Sequence, residues 1–242
     1  MISSELKSNA RKLMLENAPK LFFVTVAYLV IVTVMSELQF RLINIGAAYD
    51  LFIDQVTKGA KPNIGLLVSG IKPSGAALAC VLGLSIPIID TGFASFCLKV
   101  ARRREGGYLD ILDGFSVFGK ALLIFIVTSI LKLLWSLLFF FPGIAASYRY
   151  RQSYYILLDD PKKGALQCIR ESKRLMHGRK IELFFVDLTF FGWYLLGLLV
   201  AVLVSQVIRL PFSLPVVSIW FAPYYGLTCA EYYNRLIGRL VA

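Results

Sequence analysis

Histidine occurs once in the 242 residues, at His177, and that scarcity closes off much chemistry. A zinc peptidase needs two histidines at helical spacing plus an acid, and a serine hydrolase needs a nucleophile presented as in G-x-S-x-G, a pattern the chain lacks. The four cysteines, Cys80, Cys97, Cys168 and Cys229, form no C-x-x-C pair. Three of them fall in apolar stretches, so they read as small buried residues rather than disulfides or metal ligands. Neither G-x-x-x-x-G-K-[ST] nor G-x-G-x-x-G is present, which leaves nucleotide use without a motif. Charge is also thin, at 17% of residues against 57% hydrophobic. The expectation is a non-enzymatic protein with no cofactor and no catalytic or metal centre.

What the chain has is apolar runs near the length that crosses a bilayer. Six spans can be drawn, at roughly 21–40, 76–98, 117–140, 142–158, 180–206 and 213–235. The fold class is therefore all-α, a polytopic membrane helical bundle forming one domain over 1–242. The formal charge of +11 does not point to nucleic acid, because the basic residues sit between the spans instead of along one face. Drawn on six spans, twenty Lys and Arg fall on the side of the termini and five on the other, where a loop over 41–75 lies. The positive-inside rule then makes both termini cytoplasmic and that loop external.

Two basic amphipathic segments are expected to lie along the inner membrane surface. The first, 3–18, places Leu6, Ala10, Leu13 and Met14 on one side and Lys7, Arg11 and Lys12 around it. Its length and amphipathicity set it apart from the n-region of a signal peptide. In the second, 161–177, Asp160 suits an N-cap and Pro161 the first turn, while Ala165, Cys168, Ile169, Ser172, Leu175 and Met176 share a face. Lys162, Lys163, Arg170, Lys173 and Arg174 lie elsewhere around it and are the candidate contacts for anionic lipid headgroups. Gly178 allows a left-handed stop before the next apolar run. Lysines open three outgoing spans (Lys20, Lys120, Lys180) and prolines interrupt three returning ones (Pro87, Pro142, Pro223). That pattern fits three repeats of interfacial helix plus helical hairpin, and it equally fits any multi-span chain with basic inward loops.

The run Glu171-Ser-Lys-Arg-Leu-Met-His-Gly178, with Leu183-Phe184 and Phe190-Phe-Gly-Trp-Tyr-Leu-Leu196, resembles the bacterial membrane family called domain of unknown function 975. Phe141-Pro-Gly-Ile144, Gly114-Phe115 and Ala222-Pro-Tyr-Tyr225 ahead of Thr228 and Tyr232-Tyr233 extend the resemblance over nearly the whole chain. It implies a multi-pass protein of the bacterial cytoplasmic membrane and brings no activity with it.

Ionisable side chains inside spans are the natural functional candidates, because an unpaired charge in hydrocarbon costs several kcal/mol. Asp90, Lys132, Arg149, Arg151 and Asp187 fall near mid-depth. Pairing Asp187 with Arg149 or Arg151, and Asp90 with Lys132, would compensate most of that charge. Glu231 and Arg235 suit an i, i+4 pair. Tyr224 and Tyr225 after Pro223, and Tyr148 after Pro142, are candidates to line a cavity where proline frees backbone carbonyls; interfacial aromatic belts explain the same tyrosines. Such a polar centre suits a bundle that binds or passes a lipid-like or small amphiphilic ligand. The alternative is a scaffold or envelope accessory protein that recruits anionic lipid or a protein partner through 161–177; a membrane protein partner and a second copy of the chain are the candidate protein partners.

Overall fold

The computed structural model describes residues 2–43, 52–59, 73–208 and 216–238, and among them there are helices and turns but no strand. In chain order the helices are α1 Ile2–Glu16, α2 Ala18–Ile43, α3 Pro73–Ala101, α4 Asp113–Ser116, α5 Phe118–Leu138 and α6 Phe140–Tyr150. They continue as α7 Ser153–Asp159, α8 Ala165–Leu175, α9 Lys180–Leu188, α10 Phe191–Ile208 and α11 Val216–Leu236, with a short 3-10 segment Tyr108–Leu112 ahead of α4. Most of the expected external loop, residues 44–51 and 60–72, lies outside the described residues, as does the start of the last expected span.

Among the described residues, four stretches are long and apolar enough to cross a membrane: α2, α3, α5 and Lys180–Ala201 across α9 and α10. The 21 residues of α5 reach about 31 Å, close to the thickness of a bilayer's hydrocarbon core. The expected span 142–158 differs from this. It is two helices, α6 and α7, parted at Arg151–Gln152, and the 11 residues of α6 reach only about 16 Å. The cause is local: the Ser153 hydroxyl donates to the Tyr150 carbonyl at 2.8 Å, competing with the helical ladder as serine hydroxyls do. The span 180–206 is interrupted in the same way, since Thr189 Oγ1 donates to the Val186 carbonyl at 2.6 Å and the Phe190 N–H turns back to Asp187 O at 2.9 Å.

The described residues form two compact units, Met1–Leu29 with Pro87–Ala242, and Val30–Ile86. The smaller holds the C-terminal part of α2 and the first half of α3, with a short helical segment at 52–57 closed by a Lys58–Asp54 ion pair at 2.7 Å.

In the larger unit the amphipathic stripes find their cover in protein. Leu6, Ala10, Leu13 and Met14 of α1 are buried, and α1 packs along α11. Leu6 joins Met176, Leu183, Val186, Phe190, Phe221 and Tyr232 in one apolar cluster. Ala165, Cys168, Ile169 and Ser172 of α8, with Met176 just beyond it, are likewise buried, against α5, α6 and α7. The helix begins at Ala165, four residues later than its N-cap signal suggested. Asp160 instead makes a turn: its Oδ1 accepts from Lys162 N at 3.1 Å and its carbonyl from Lys163 N at 3.1 Å, with Pro161 at the corner. Beyond α8, Gly178 adopts φ +76°, a left-handed conformation that suits glycine and ends the segment.

Glycine also permits one close approach. The carbonyl of Ile111 sits where a Cβ on Gly92 would be, and the carbonyl of Ile88 where one on Gly114 would be, so the 108–116 segment lies directly against α3. Lys99 holds that segment from the other end, at 2.9 Å from Asp110 and 2.7 Å from Asp113.

Candidate functional site

Arg151 and Asp187 both stand at the helix interruptions just described, Arg151 between α6 and α7 and Asp187 in the last turn of α9. The two meet: Arg151 Nη1 lies 2.5 Å from Asp187 Oδ2. The third member comes from α11, two residues past Pro223, where proline removes one backbone donor from the ladder. Tyr225 donates its hydroxyl to Asp187 Oδ1 at 2.9 Å and accepts from Arg151 Nη2, which also reaches Cys229 Sγ at 3.5 Å. The guanidinium further lies 5.5 Å from the Tyr225 ring centre. Tyr148 of α6 lies close enough to Asp187 to interact with its carboxylate. A buried or lipid-facing ion pair is tolerable when its remaining donors and acceptors are bonded, and each partner here has further bonds.

Of the other three mid-depth residues, Lys132 lies near enough to Arg151 to feel its charge, and among the described residues no acid pairs with it. The expected Asp90–Lys132 pair is absent. Asp90 Oδ1 instead accepts from Tyr28 of α2 at 2.8 Å, the Tyr28 ring stacking on Phe93 at 4.3 Å. Arg149 contributes its carbonyl, which accepts from Ser172 Oγ of α8 at 2.9 Å. The arrangement thus unites Arg151 and Asp187, brings Lys132 alongside, and leaves Asp90 elsewhere. Glu231 does not hold Arg235, which reaches Glu5 of α1 at 3.4 Å.

A second polar network escaped the sequence. Arg102, just past α3, pairs with Asp159 at 2.7 Å and donates from Nε to Asn234 Oδ1 at 2.9 Å, while the Tyr233 hydroxyl lies 3.3 Å from Asp159 Oδ2. Its members are 57 and 132 positions away from Arg102 and carry no local signal.

The basic face of α8 is outward. Lys162, Arg170, Lys173 and Arg174 are exposed, whereas Lys163 is held by Glu171 at 2.7 Å, a contact that raises its pKa above the ordinary lysine value. Lys163 and Arg174 line an open cleft of about 460 Å³ together with Asp159, Asp160, Glu171 and Tyr233. Acids outnumber bases there, so the cleft is a poor receptor for an anion. Among the described residues, no group of three or more His, Cys, Asp or Glu side chains converges as a metal-binding set.

Residues 140–239 match the profile of a family described as Protein of unknown function (DUF975). The matched segment holds Arg151, Asp187, Tyr225 and all of α8, while Gly114-Phe115, Lys132 and Asp90 lie ahead of it. No curated protein and no solved structure matches the chain.

Proposed function

We propose, from a family segment to which no activity is attached, that this multi-span protein binds or passes a lipid-like or small amphiphilic ligand without catalysing a reaction. Its polar centre is Arg151, Asp187 and Tyr225, with Lys132 beside them. One observation carries the reading: two of the three bonded side chains come from the helix interruptions α6–α7 and α9–α10, and the third from α11 two residues past Pro223. Broken helices with a polar cluster between them are how membrane proteins commonly build substrate sites, because the freed backbone groups need a polar surrounding. The surplus positive charge of Lys132 favours a ligand with an anionic group.

The test compares the lipids and amphiphiles that co-purify with the wild type and with Asp187→Asn, by mass spectrometry at matched membrane abundance. A changed profile at unchanged abundance is expected. An unchanged profile at equal abundance, or parallel loss of both, would leave the cluster a purely structural brace.

A second reading, a bacterial cytoplasmic-membrane scaffold with both termini inside, draws on α8. Its apolar stripe is already consumed by packing on α5, α6 and α7, so Lys162, Arg170, Lys173 and Arg174 form a fixed outward surface for anionic headgroups or a protein partner. Charge reversal at Lys173 and Arg174 should abolish partner or lipid recruitment on this reading and leave the co-purifying profile intact on the first.

A further inference from the structure

Two clefts on the larger unit adjoin where α1 passes α11. One, of about 290 Å³, is almost wholly apolar and is lined by Leu15, Ala18, Phe22, Ile219 and Pro223 among others. The other, of about 400 Å³, opens between Lys7 and Arg11 on one side and Trp193 and Tyr224 on the other. Met14, Leu15 and Trp220 line both. Each is at the small end of the roughly 300–1,000 Å³ usual for ligand sites, and joined they fall inside it.

The pair of adjoining clefts therefore has an apolar slot at one end and two cations among indole and phenol rings at the other. We propose that it holds one anionic membrane lipid, an acyl chain in the slot along α2 and α11 and the phosphate on Lys7 and Arg11. Charge complementarity decides the occupant: the mouth carries two bases and no acid among its lining residues, the reverse of the acid-rich cleft beside α8. The surrounding residue types agree, since tryptophan and tyrosine gather at the level of lipid headgroups. Trp193 and Trp220 are both substantially exposed, as side chains that meet lipid would be. Lys7 is already positioned: its ammonium stands 4.4 Å over the Phe190 ring and 3.4 Å from the Thr189 carbonyl. Burial lowers its pKa from the ordinary lysine value, and a bound phosphate would offset that cost.

This site shares no residue with the Arg151 cluster, and Asp187→Asn leaves it intact, so either can fail alone. The experiment uses the full chain in detergent micelles, mixed with phosphatidylglycerol or phosphatidylcholine, and counts retained lipid by native mass spectrometry. Wild-type protein should retain phosphatidylglycerol in preference. At about 1 kcal/mol per basic residue near an anionic headgroup, K7A/R11A should lower that retention about thirtyfold. K173A/R174A should not change it. A18W, which fills the apolar slot from an exposed position, should lower retention of both lipids and serves if K7A/R11A does not fold. Equal retention of the two lipids by the wild type, unchanged retention in the folded variants, or equal loss in K173A/R174A would overturn the proposal.

Discussion

Replacing Asp187 with asparagine removes the one carboxylate that Arg151 pairs with among the described residues, at 2.5 Å, while keeping the size of the side chain. The side chains of the pair retain 26% and 21% of their surface, so the lower end of the cost for breaking a buried pair applies, about 3 kcal/mol. In a chain of this length that corresponds to a fall of about 6–12 °C in apparent Tm. Arg151→Met should cost a similar amount, because Asp187 is then left with tyrosine hydroxyls alone. The double variant R151M/D187N removes both charges together. Its remaining penalty is the loss of the charge-assisted bonds to the Tyr225 hydroxyl, worth about 1–3 kcal/mol. The double variant should therefore be more stable than the sum of the singles by at least about 2 kcal/mol. Thermal unfolding of the four proteins in one detergent, followed by intrinsic fluorescence, closes the cycle. Additive losses would mean that the guanidinium and carboxylate do not act as a pair, and the polar centre would dissolve with them.

Three further outcomes are expected. Gly92→Ala should destabilise by about 1–3 kcal/mol through collision with the Ile111 carbonyl, read as an earlier melt, whereas Gly119→Ala, whose Cβ meets nothing, should not. Arg102→Met should cost about 3–5 kcal/mol because it breaks the pair with Asp159 in a site where the arginine is only 10% exposed; a melt within 2 °C of wild type would contradict the network. With Cys97, Cys168 and Cys229 buried and Cys80 replaced by serine, Lys173→Cys should react with an impermeant maleimide only after cells are opened; labelling of intact cells would reverse the topology.

Periodicity was the most legible signal. The stripes Leu6, Ala10, Leu13, Met14 and Ala165, Cys168, Ile169, Ser172, Met176 are the faces the fold buries, because 3.6-residue spacing determines which side chains share a side whatever covers them. What covers them was not legible: α1 and α8 lay their apolar faces on other helices of the chain, and hydrophobicity alone does not distinguish lipid from leucine. The breaks at 151–152 and 189–190 depend on single hydroxyls of Ser153 and Thr189 choosing a carbonyl three residues back, too fine a choice for a hydropathy window. Arg151 and Asp187 stood out as charges in apolar runs, but the choice of Arg151 over Arg149, and of Tyr28 for Asp90, follows from which helix faces meet across 36 and 62 positions.

The seam between α1 and α11 ties Glu5 to Arg235 across 230 positions. A ribosome adding roughly 5–20 residues per second takes on the order of ten to forty seconds to travel from the end of one helix to the start of the other. For that interval Leu6, Ala10, Leu13 and Met14 lack the helix that α1 packs along, and the bilayer surface is the apolar shelter at hand. Closure of this bundle is therefore a late event in biogenesis, and a stalled or truncated product would present its greasy leading helix to quality-control proteases.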